Sequence, residues 1–372
     1  MSAKGSNGFG PRAAEAKKGG AKKKKKGDGD GDGDGDERVN VVVRVRPQLH
    51  SSEGRADNMS LQVDATRDMV WAMPSDDDGS GRGKLPRQFV FDRVIPPEGR
   101  QEDVYTSAAQ NIVGSVLEGF TGCVMCYGQT GAGKTYTLAN ESAGPNAGVM
   151  LRAFTEIFEH IAQDTEHEYE VTMSYCQVYL DNLSDLLTPR NDVQIREDAD
   201  KGVFLTGLTW RSCKTVRDAK SVLADGNRNR ATAATSMNQD SSRSHAVLQM
   251  HISRRGGART LLGKLYLVDL AGSERVKKSG VEGAAMDEAI AINQSLTILG
   301  RCIEAMARGK KGERPPFRES KLTRLLSNAI GGAAKTTLIV CVAPSRRDVV
   351  ETNSSLEFGQ QVTIQIIGSI GY

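Results

Sequence analysis

The segment that most constrains this chain is the glycine-rich octet from Gly128 to Thr135, which reads GQTGAGKT. Glycine adopts backbone angles that other residues avoid, so the N–H groups of such a loop can curl around the phosphates of a nucleotide. Lys134 is then placed to reach the β- and γ-phosphates, and the Thr135 hydroxyl to bind Mg²⁺. The apolar run from Gly122 to Tyr127 predicts a buried parallel strand before the octet, and a helix is expected after it. The octet is interpreted as a P-loop, with a chance glycine turn as the alternative.

Length and composition allow one large α/β domain or two small ones in 372 residues. No apolar run is long enough to cross a bilayer, and the N-terminus lacks the apolar stretch of a secretory signal. These features predict a nucleocytoplasmic location. The six cysteines mostly lie in apolar stretches and are interpreted as reduced core residues. Cys123 and Cys126 form a C-x-x-C, which leaves a redox or metal role as an alternative.

Residues 1–36 have low complexity, with a lysine run from Lys22 to Lys26 and then alternating glycine and aspartate. This composition predicts a disordered tail. The tail holds nine of the 49 Lys and Arg and six of the 46 acids, so 40 of each remain and the rest of the chain is formally neutral. Net charge therefore does not indicate a polyanionic partner. A solvated tail, an import signal and a contact with an acidic polymer all remain open for the lysine run.

The ordered part is predicted to begin with a strand from Val39 to Arg46, which stops at Pro47. A helix is expected from Glu102 to Leu117, because apolar residues recur every four positions there. Further elements are predicted at residues 61–73 (a hairpin), 89–91 (a strand), 149–160 (a helix), 169–179 (a strand) and 216–225 (a helix). This order predicts a three-layer α/β domain of the P-loop NTPase type, with a central mixed, mostly parallel sheet flanked by helices.

Two further segments are typical of nucleotide sensing. The first switch segment, residues 238–245, places three serines around Arg243, and serine hydroxyls can bind Mg²⁺ or phosphate oxygens. The second switch segment, residues 269–274, comes at the end of an apolar strand that begins at Leu265. Its first residue is Asp269, and an acid at this place can hold the Mg²⁺ shell. Alone, Asp269 could equally be a helix or turn cap. Together with the P-loop, the two segments predict a nucleoside triphosphatase.

In these segments the sequence resembles the kinesin motor domains. The matching stretches stand in the family's order and approximate spacing, and they are residues 44–47, 128–137, 238–245, 267–274, 320–326 and 358–360. The resemblance extends from about Arg38 to Gln361. It implies a motor domain over residues 37–361 that uses ATP and Mg²⁺ as a microtubule-stimulated ATPase.

The resemblance also implies roles for individual residues. The adenine base would be surrounded by Arg44, Arg46, Pro47 and Tyr136. The phosphates would lie in the loop formed by Gly128, Gln129, Thr130, Gly131, Ala132, Gly133, Lys134 and Thr135. Mg²⁺ would be bound by Thr135 and Ser241 and, through water, by Asp269. Ser241 and Ser242 would close on Mg²⁺ and the γ-phosphate, to which Gly272 would donate its N–H, and Arg230 and Asn238 would serve the nucleotide pocket. A helix cap is the alternative for Asn238.

Arg243 and Glu274 are implied to form a salt bridge that marks the closed, hydrolysis-competent state. Phosphoryl transfer to water needs charge neutralisation and a placed nucleophile more than a strong base. A carboxylate that takes a proton through a water relay is therefore sufficient, and Glu274 is the candidate.

The implied partner is the microtubule, whose surface is acidic. A long helix is predicted from about Met286 to Met306, because apolar residues recur there at spacings of four and three. Basic residues near it form the expected contact face: Lys277, Lys278, Lys310, Lys311, Arg314, Arg318, Lys321 and Arg324. A solvated basic face is the alternative. The expectation is a monomer in the cytoplasm, associated with microtubules and with neither membrane nor specific nucleic acid, and nuclear import is left open.

Two departures from the family pattern affect movement. Many members carry lysines in the long helix where this chain has Ile290 and Gln294, which predicts a lower polymer affinity. Residues 362–372 lack the basic stretch that normally leads to the neck linker, so they are interpreted as an atypical neck linker or a truncated end. A non-motile or depolymerising microtubule-binding protein is therefore the main alternative, and another P-loop enzyme, such as a small-molecule kinase, is a second.

Overall fold

The computed structural model describes residues 39–49, 59–74, 85–188, 192–198, 202–236, 241–257, 259–274, 284–308, 314–331 and 334–369. Several sequence predictions lie outside these residues. They concern the tail over residues 1–36 and the side chains of Asn238, Lys277, Lys278, Lys310 and Lys311. Within the described ranges, no helix combines the length and the apolar character that a membrane span requires.

Fourteen strands and eight α-helices are found in these ranges. The strands are β1 (Asn40–Val45), β2 (Leu61–Asp64), β3 (Met69–Ala72), β4 (Arg87–Val90), β5 (Arg93–Ile95), β6 (Thr121–Tyr127), β7 (Glu168–Tyr179), β8 (Asn182–Asp185), β9 (Gln194–Asp198), β10 (Gly202–Thr206), β11 (Arg211–Cys213), β12 (His245–Gly256), β13 (Arg259–Asp269) and β14 (Lys335–Val342). The helices are α1 (Gln101–Ala108), α2 (Gln110–Leu117), α3 (Lys134–Ala139), α4 (Val149–Gln163), α5 (Val216–Ser236), α6 (Ala284–Arg308), α7 (Lys321–Ile330) and α8 (Val349–Ser369).

Nine strands form the central sheet, in the order β11-β7-β12-β13-β6-β14-β1-β5, with β8 paired to β7. Parallel pairing joins β13, β6, β14, β1 and β5. Strand β7 runs in the same direction, because it is antiparallel to β12, which is antiparallel to β13. Six of the nine strands therefore share one direction, which confirms the predicted mixed, mostly parallel sheet. The P-loop strand β6 lies between β13 and β14, near the middle of the sheet.

Helices cover both faces of this sheet, which confirms the three-layer prediction. One core contains buried residues of α1, α2, α4 and α5, such as Phe154 and Leu223, and the other contains buried residues of α6, α7 and α8, such as Leu299 and Leu326. Side chains of β6 alternate between the cores, as the pleat of a strand requires. Cys126 packs in the first core and Cys123 in the second, so the two cysteines of the C-x-x-C point to opposite faces. This placement argues against a shared redox or metal site.

Two helix predictions differ from the structure. The helix expected from Glu102 to Leu117 bends at Ala109, whose φ of −129° ends α1 and starts α2. The four-residue repeat identified the buried face correctly, since Val104, Ala108, Ile112 and Val116 are all buried. Such a repeat does not show whether the helix is interrupted, because the same face stays buried on both sides of the bend. The helix expected to end at Asp225 continues to Ser236. That polar extension lacks an apolar repeat, and it carries Arg230 to the candidate site.

Helix α8 contributes Leu356 and Val362 to the second core. Residues 362–372 are interpreted from the sequence as an atypical neck linker or a truncated end, and the described part, residues 362–369, continues helix α8. The Phe358 ring of α8 stacks on the Tyr127 ring of β6, with the ring centroids 4.1 Å apart. The buried stripe predicted for the long helix is confirmed in α6 by Ile292, Leu296, Leu299 and Ile303.

Candidate nucleotide site

The P-loop connects β6 to α3 in a conformation that requires glycine. Gly128 has a φ of 142°, and a Cβ atom there would lie 2.2 Å from the carbonyl oxygen of Cys341. Lys134 is buried, and its Nζ donates to the carbonyl oxygens of Gly128 at 2.8 Å and Gln129 at 3.0 Å. Burial lowers the pKa of Lys134, while the negative charges of Asp269 and Glu274 oppose that shift. The loop thus holds a buried cation next to two carboxylates.

Thr135 and Asp269 meet at the loop. The Thr135 hydroxyl donates to Asp269 Oδ2 at 2.8 Å, and Asp269 is only 1 % exposed at the end of β13. Its other oxygen, Oδ1, is buried and has no hydrogen-bond partner among the described residues. The Thr135 hydroxyl and the unbonded Oδ1 of Asp269 are hard oxygen ligands, which Mg²⁺ prefers. These two residues therefore fit the predicted metal role.

Asp269 also pairs with Arg230 of helix α5. Arg230 Nη1 donates to Asp269 Oδ2 at 2.7 Å, and its Nη2 donates to the carbonyl oxygen of Ser244 at 2.8 Å. Burial lowers the pKa of Arg230, but the Asp269 carboxylate and the Tyr175 hydroxyl together outweigh it and the pKa is raised. The sequence suggested only a general pocket role for Arg230. In the structure it is the buried countercharge of the candidate metal ligand.

Two of the residues expected around the base, Arg44 and Tyr136, meet at the first turn of α3. Arg44 of β1 is buried and donates to Gln101 Oε1 and Thr137 Oγ1, both at 2.7 Å. Its guanidinium carbon lies 5.4 Å from the centroid of the half-exposed Tyr136 ring. Gln101 in turn donates to the Tyr136 carbonyl oxygen at 2.7 Å. Sequence reasoning missed Gln101, because a glutamine at a helix start gives no sign of the arginine it will meet.

Arg46 and Pro47, the other two residues expected around the base, directly follow β1. Arg46 Nη1 donates to the Pro47 carbonyl oxygen at 2.9 Å, and Pro47 is exposed. A Cβ on Gly133 would lie 3.9 Å from Arg46 Cβ, so Arg46 lies close to the P-loop. Arg44 and Tyr136 are therefore in contact, and Arg46, which bonds to Pro47, lies beside Gly133 of the loop.

The two switch segments contact each other and the P-loop. Gly272 N–H donates to the Ser242 carbonyl oxygen at 2.6 Å, and Ser273 N–H donates to the Gly128 carbonyl oxygen at 3.2 Å. A Cβ on Gly272 would lie 2.3 Å from the Glu274 carboxylate and 2.5 Å from Thr130 Oγ1, so a larger residue would displace the contact between those two side chains. The Gly272 N–H, expected to face the γ-phosphate, is bonded to the first switch segment here. Ser241 opens the turn Ser241–Arg243, and its side chain is outside what the structure describes.

The predicted salt bridge between Arg243 and Glu274 is not formed in this structure. Glu274 accepts hydrogen bonds from the Thr130 N–H at 2.9 Å and from the Thr130 hydroxyl at 2.5 Å. Arg243 Nη1 instead donates to Glu288 Oε2 at 2.8 Å. Each charged group is satisfied by a different partner, because Glu274 faces the P-loop while Arg243 faces helix α6. Sequence reasoning missed Glu288, which lies in the predicted long helix without any distinguishing motif.

His245 joins three elements, a role that the sequence did not reveal. Its Nδ1 accepts from the Ala271 N–H at 3.0 Å, and its Nε2 lies 2.8 Å from Ser295 Oγ of helix α6. Because Nδ1 is an acceptor, Nε2 carries the proton of a neutral ring and donates to Ser295. Burial, followed by the charge of Arg230, lowers the pKa of His245 to about 3. A neutral histidine therefore ties both switch segments to α6.

The basic residues predicted as a polymer-facing surface are partly paired. Arg318 donates to both Glu197 carboxylate oxygens, at 3.0 and 2.9 Å, and an Arg324 nitrogen lies 3.8 Å from Glu197 Oε2. Arg314 is exposed, and Lys321 is at the first turn of α7. Glu197 therefore neutralises part of this face.

The comparisons with known proteins agree with this geometry. The family model for the kinesin motor domain matches residues 44–364. Kinesin heavy chain isoform 5C of Rattus norvegicus is 42% identical over 286 residues, which are 76% of this chain and 30% of that protein. Kinesin heavy chain of Doryteuthis pealeii is 40% identical over 338 residues, which are 89% of this chain and 34% of that protein. The chain thus spans about a third of the length of the curated relatives it matches.

A solved structure gives the same result at the level of the fold. It is described as the structure of a fast kinesin, with implications for ATPase mechanism and interactions with microtubules. It superposes with a TM-score of 0.78 at 35% identity, covering 88% of this chain and 91% of that one. With the P-loop, the two switch segments and the family match in agreement, the chain belongs to the kinesin motor domain family.

Proposed function

We propose that the chain is a microtubule-stimulated ATPase motor, in which ATP hydrolysis at the P-loop controls microtubule binding and movement. One observation carries the proposal: the second switch segment bonds to both the P-loop and the first switch segment, through Ser273 and Gly272 respectively. A change at the phosphates would therefore reach both switch segments at once. The catalytic unit we assign is residues 37–361.

ATP would be held with Mg²⁺, which neutralises phosphate charge when bound. Thr135 would bind the metal directly, with Asp269 in the surrounding shell and Arg230 fixing the Asp269 carboxylate. Ser241 and Ser242 would close from the first switch segment. Lys134 would exchange its bonds to the loop carbonyls for the phosphates, and Arg44, Arg46, Pro47 and Tyr136 would form the base side. Asn238 is assigned to the same pocket on the family pattern alone.

Glu274 is assigned to the chemistry of water attack. In the described structure its carboxylate is bonded to Thr130, at the phosphate side of the loop. Pairing with Arg243 would draw Glu274 away from Thr130 and add a salt bridge between the two switch segments. The carboxylate then accepts a proton from the attacking water through a relay, while the Gly272 N–H turns from Ser242 to the transferred phosphoryl group.

Helix α6 would transmit the change to the polymer. It receives the His245–Ser295 hydrogen bond from the first switch segment, and Asn293 donates to the Glu274 carbonyl oxygen at 3.0 Å. Basic residues around α6 and α7 would contact the acidic microtubule: Lys277, Lys278, Lys310, Lys311, Arg314, Arg318, Lys321 and Arg324. The proposal places the chain on cytoplasmic microtubules, acting as a monomer. Import into the nucleus through the lysine run of residues 22–26 is a separate possibility that a localisation experiment decides.

Gliding of fluorescent microtubules over the surface-bound full chain tests the motor proposal. With MgATP the filaments are expected to move, and polarity marks report the direction. Filaments that bind without moving would contradict the motor in favour of a passive binder. Filaments that shorten from their ends would identify a depolymeriser.

A further inference from the structure

Glu288, in the second turn of α6, accepts hydrogen bonds from two side chains: one at the end of β7 and one just before the start of β12. Its Oε2 accepts from Arg243 Nη1 at 2.8 Å, and its Oε1 accepts from the Tyr179 hydroxyl at 2.8 Å. The Glu288 side chain is 15 % exposed, whereas that of Arg243 is 43 % exposed. The carboxylate is therefore fixed by β7 and largely shielded from solvent, whereas the guanidinium that it accepts from is more exposed.

This contact competes with the pairing proposed for catalysis. Glu274 is bonded to Thr130, and the Arg243 side chain faces Glu288 on α6. A salt bridge present in only one of two conformations stabilises that conformation by the free energy of the bridge. The Arg243–Glu288 bridge thus favours the arrangement in which Arg243 is away from Glu274.

We propose that Glu288 is a positioning residue that holds Arg243 away from Glu274 and thereby keeps the turnover of the chain low in the absence of microtubules. The inference rests on the proposed ATPase function. Tyr179 supports it by fixing the second oxygen of Glu288, so that the carboxylate presents one oxygen to Arg243. Polymer binding at α6 would then raise turnover in part by moving Glu288 relative to the first switch segment.

Replacing Glu288 with glutamine tests the proposal, because the amide oxygen can still accept from Tyr179 while the negative charge is lost. Turnover of MgATP without microtubules is expected to rise about fivefold, which corresponds to ~1 kcal/mol for a half-exposed ion pair. Asp287→Asn is the matched control: it removes the same charge from the exposed neighbouring position of α6, and turnover is expected to stay at the unmodified level.

A second comparison separates positioning from a merely structural effect. In an Arg243→Ala background, whose turnover is already lowered by loss of the proposed catalytic pair, Glu288→Gln is expected to leave the remaining turnover unchanged, because the guanidinium that Glu288 holds is gone. Tyr179→Phe, which leaves the charge in place, is expected to raise turnover less than Glu288→Gln, and it keeps the test available if the glutamine variant fails to fold.

Unchanged or reduced turnover in folded Glu288→Gln overturns the inference, and so does an equal effect in the Arg243→Ala background. The unmodified chain is measured with microtubules in the same series. If that chain shows no stimulated turnover, the proposed function itself fails, whereas stimulated turnover with an unresponsive Glu288→Gln rejects only the positioning role.

Discussion

Glu274 and Thr130 are joined by two hydrogen bonds, from the backbone N–H and the hydroxyl of Thr130 to the two carboxylate oxygens of Glu274. The bonds connect the second switch segment to the P-loop at the side where the phosphates would lie. They also occupy both oxygens of the residue to which we assign the proton relay. Release of Glu274 from Thr130 is therefore a step that the proposed cycle requires.

Glu274→Ala is expected to reduce the microtubule-stimulated kcat at least about 100-fold, which is the usual range for losing a positioned proton acceptor. Nucleotide binding should persist, because the loop and Lys134 are unchanged. Steady-state turnover and equilibrium titration with a fluorescent ATP analogue check the two parts. Glu170→Ala, which removes an exposed carboxylate near Arg255, is the control and should retain activity. A Glu274→Ala variant with unmodified turnover would contradict the assignment.

Arg230→Met is expected to lower the free energy of unfolding by about 3–5 kcal/mol, because it leaves the Asp269 charge buried without its arginine. Arg230 and Asp269 side chains are 5% and 1% exposed, so water cannot replace the lost partner. Arg228→Met on the same helix removes an exposed pair with Asp225 and should change stability by less than about 1 kcal/mol. Chemical denaturation of both variants makes the comparison. Equal losses would contradict the buried-pair account.

His245 should make the chain less stable in mild acid. Its folded pKa of about 3 lies below the ~6.5 of an unfolded histidine, so between these values only the unfolded chain binds the proton. The contribution of His245 to the free energy of unfolding is therefore complete above the unfolded pKa. It is lost as the pH falls below that value, by about 2 kcal/mol between pH 7 and pH 5.

Denaturation across that pH range, for the full chain and for His245→Asn, measures this contribution. His251, whose pKa burial lowers to about 4, acts in both proteins and cancels in the difference. Asparagine keeps an acceptor near Ala271 but has no proton to bind, so the variant should show the smaller pH dependence. The same pH dependence in both would contradict a buried neutral His245.

The order of the segments predicted the layered fold and the gathering of the nucleotide residues, because each motif has a fixed place relative to a strand end. Thr135 and Asp269 are adjacent for that reason: Asp269 ends β13, Thr135 follows β6 through the P-loop, and the two strands are neighbouring and parallel. Contacts made by residues without a motif could not be predicted. The hydrogen bonds from Arg44 to Gln101 and from Arg243 to Glu288 depend on how separate elements pack, and no local sequence pattern encodes that packing.

The salt bridge expected between Arg243 and Glu274 shows a different limit. Both residues are in the expected segments, but the family pattern describes a pair and not the conformation in which the pair forms. Here competing partners, Glu288 and Thr130, hold the two charges apart. The sequence identified both residues but not the partner that each takes in this structure.

Glu197→Gln is expected to tighten microtubule binding several-fold at low salt. The change removes a negative charge from the proposed contact face and frees Arg318, which Glu197 now holds. The gain should shrink as salt is added, because exposed charges are screened over about 8 Å at physiological ionic strength. Cosedimentation over a salt series provides the measurement, with Glu170→Gln as the remote control. Weaker binding, or a gain that does not depend on salt, would count against this face as the contact surface.

The central claim is that the P-loop, the two switch segments and helix α6 form one coupled unit. ATP turnover by the full chain, measured with Mg²⁺ over a series of microtubule concentrations, tests it most directly. The account predicts slow turnover by the chain alone and a saturable rise, by at least about tenfold, as microtubules are added. Turnover that stays the same with and without microtubules, or that is absent in both conditions, would contradict the account.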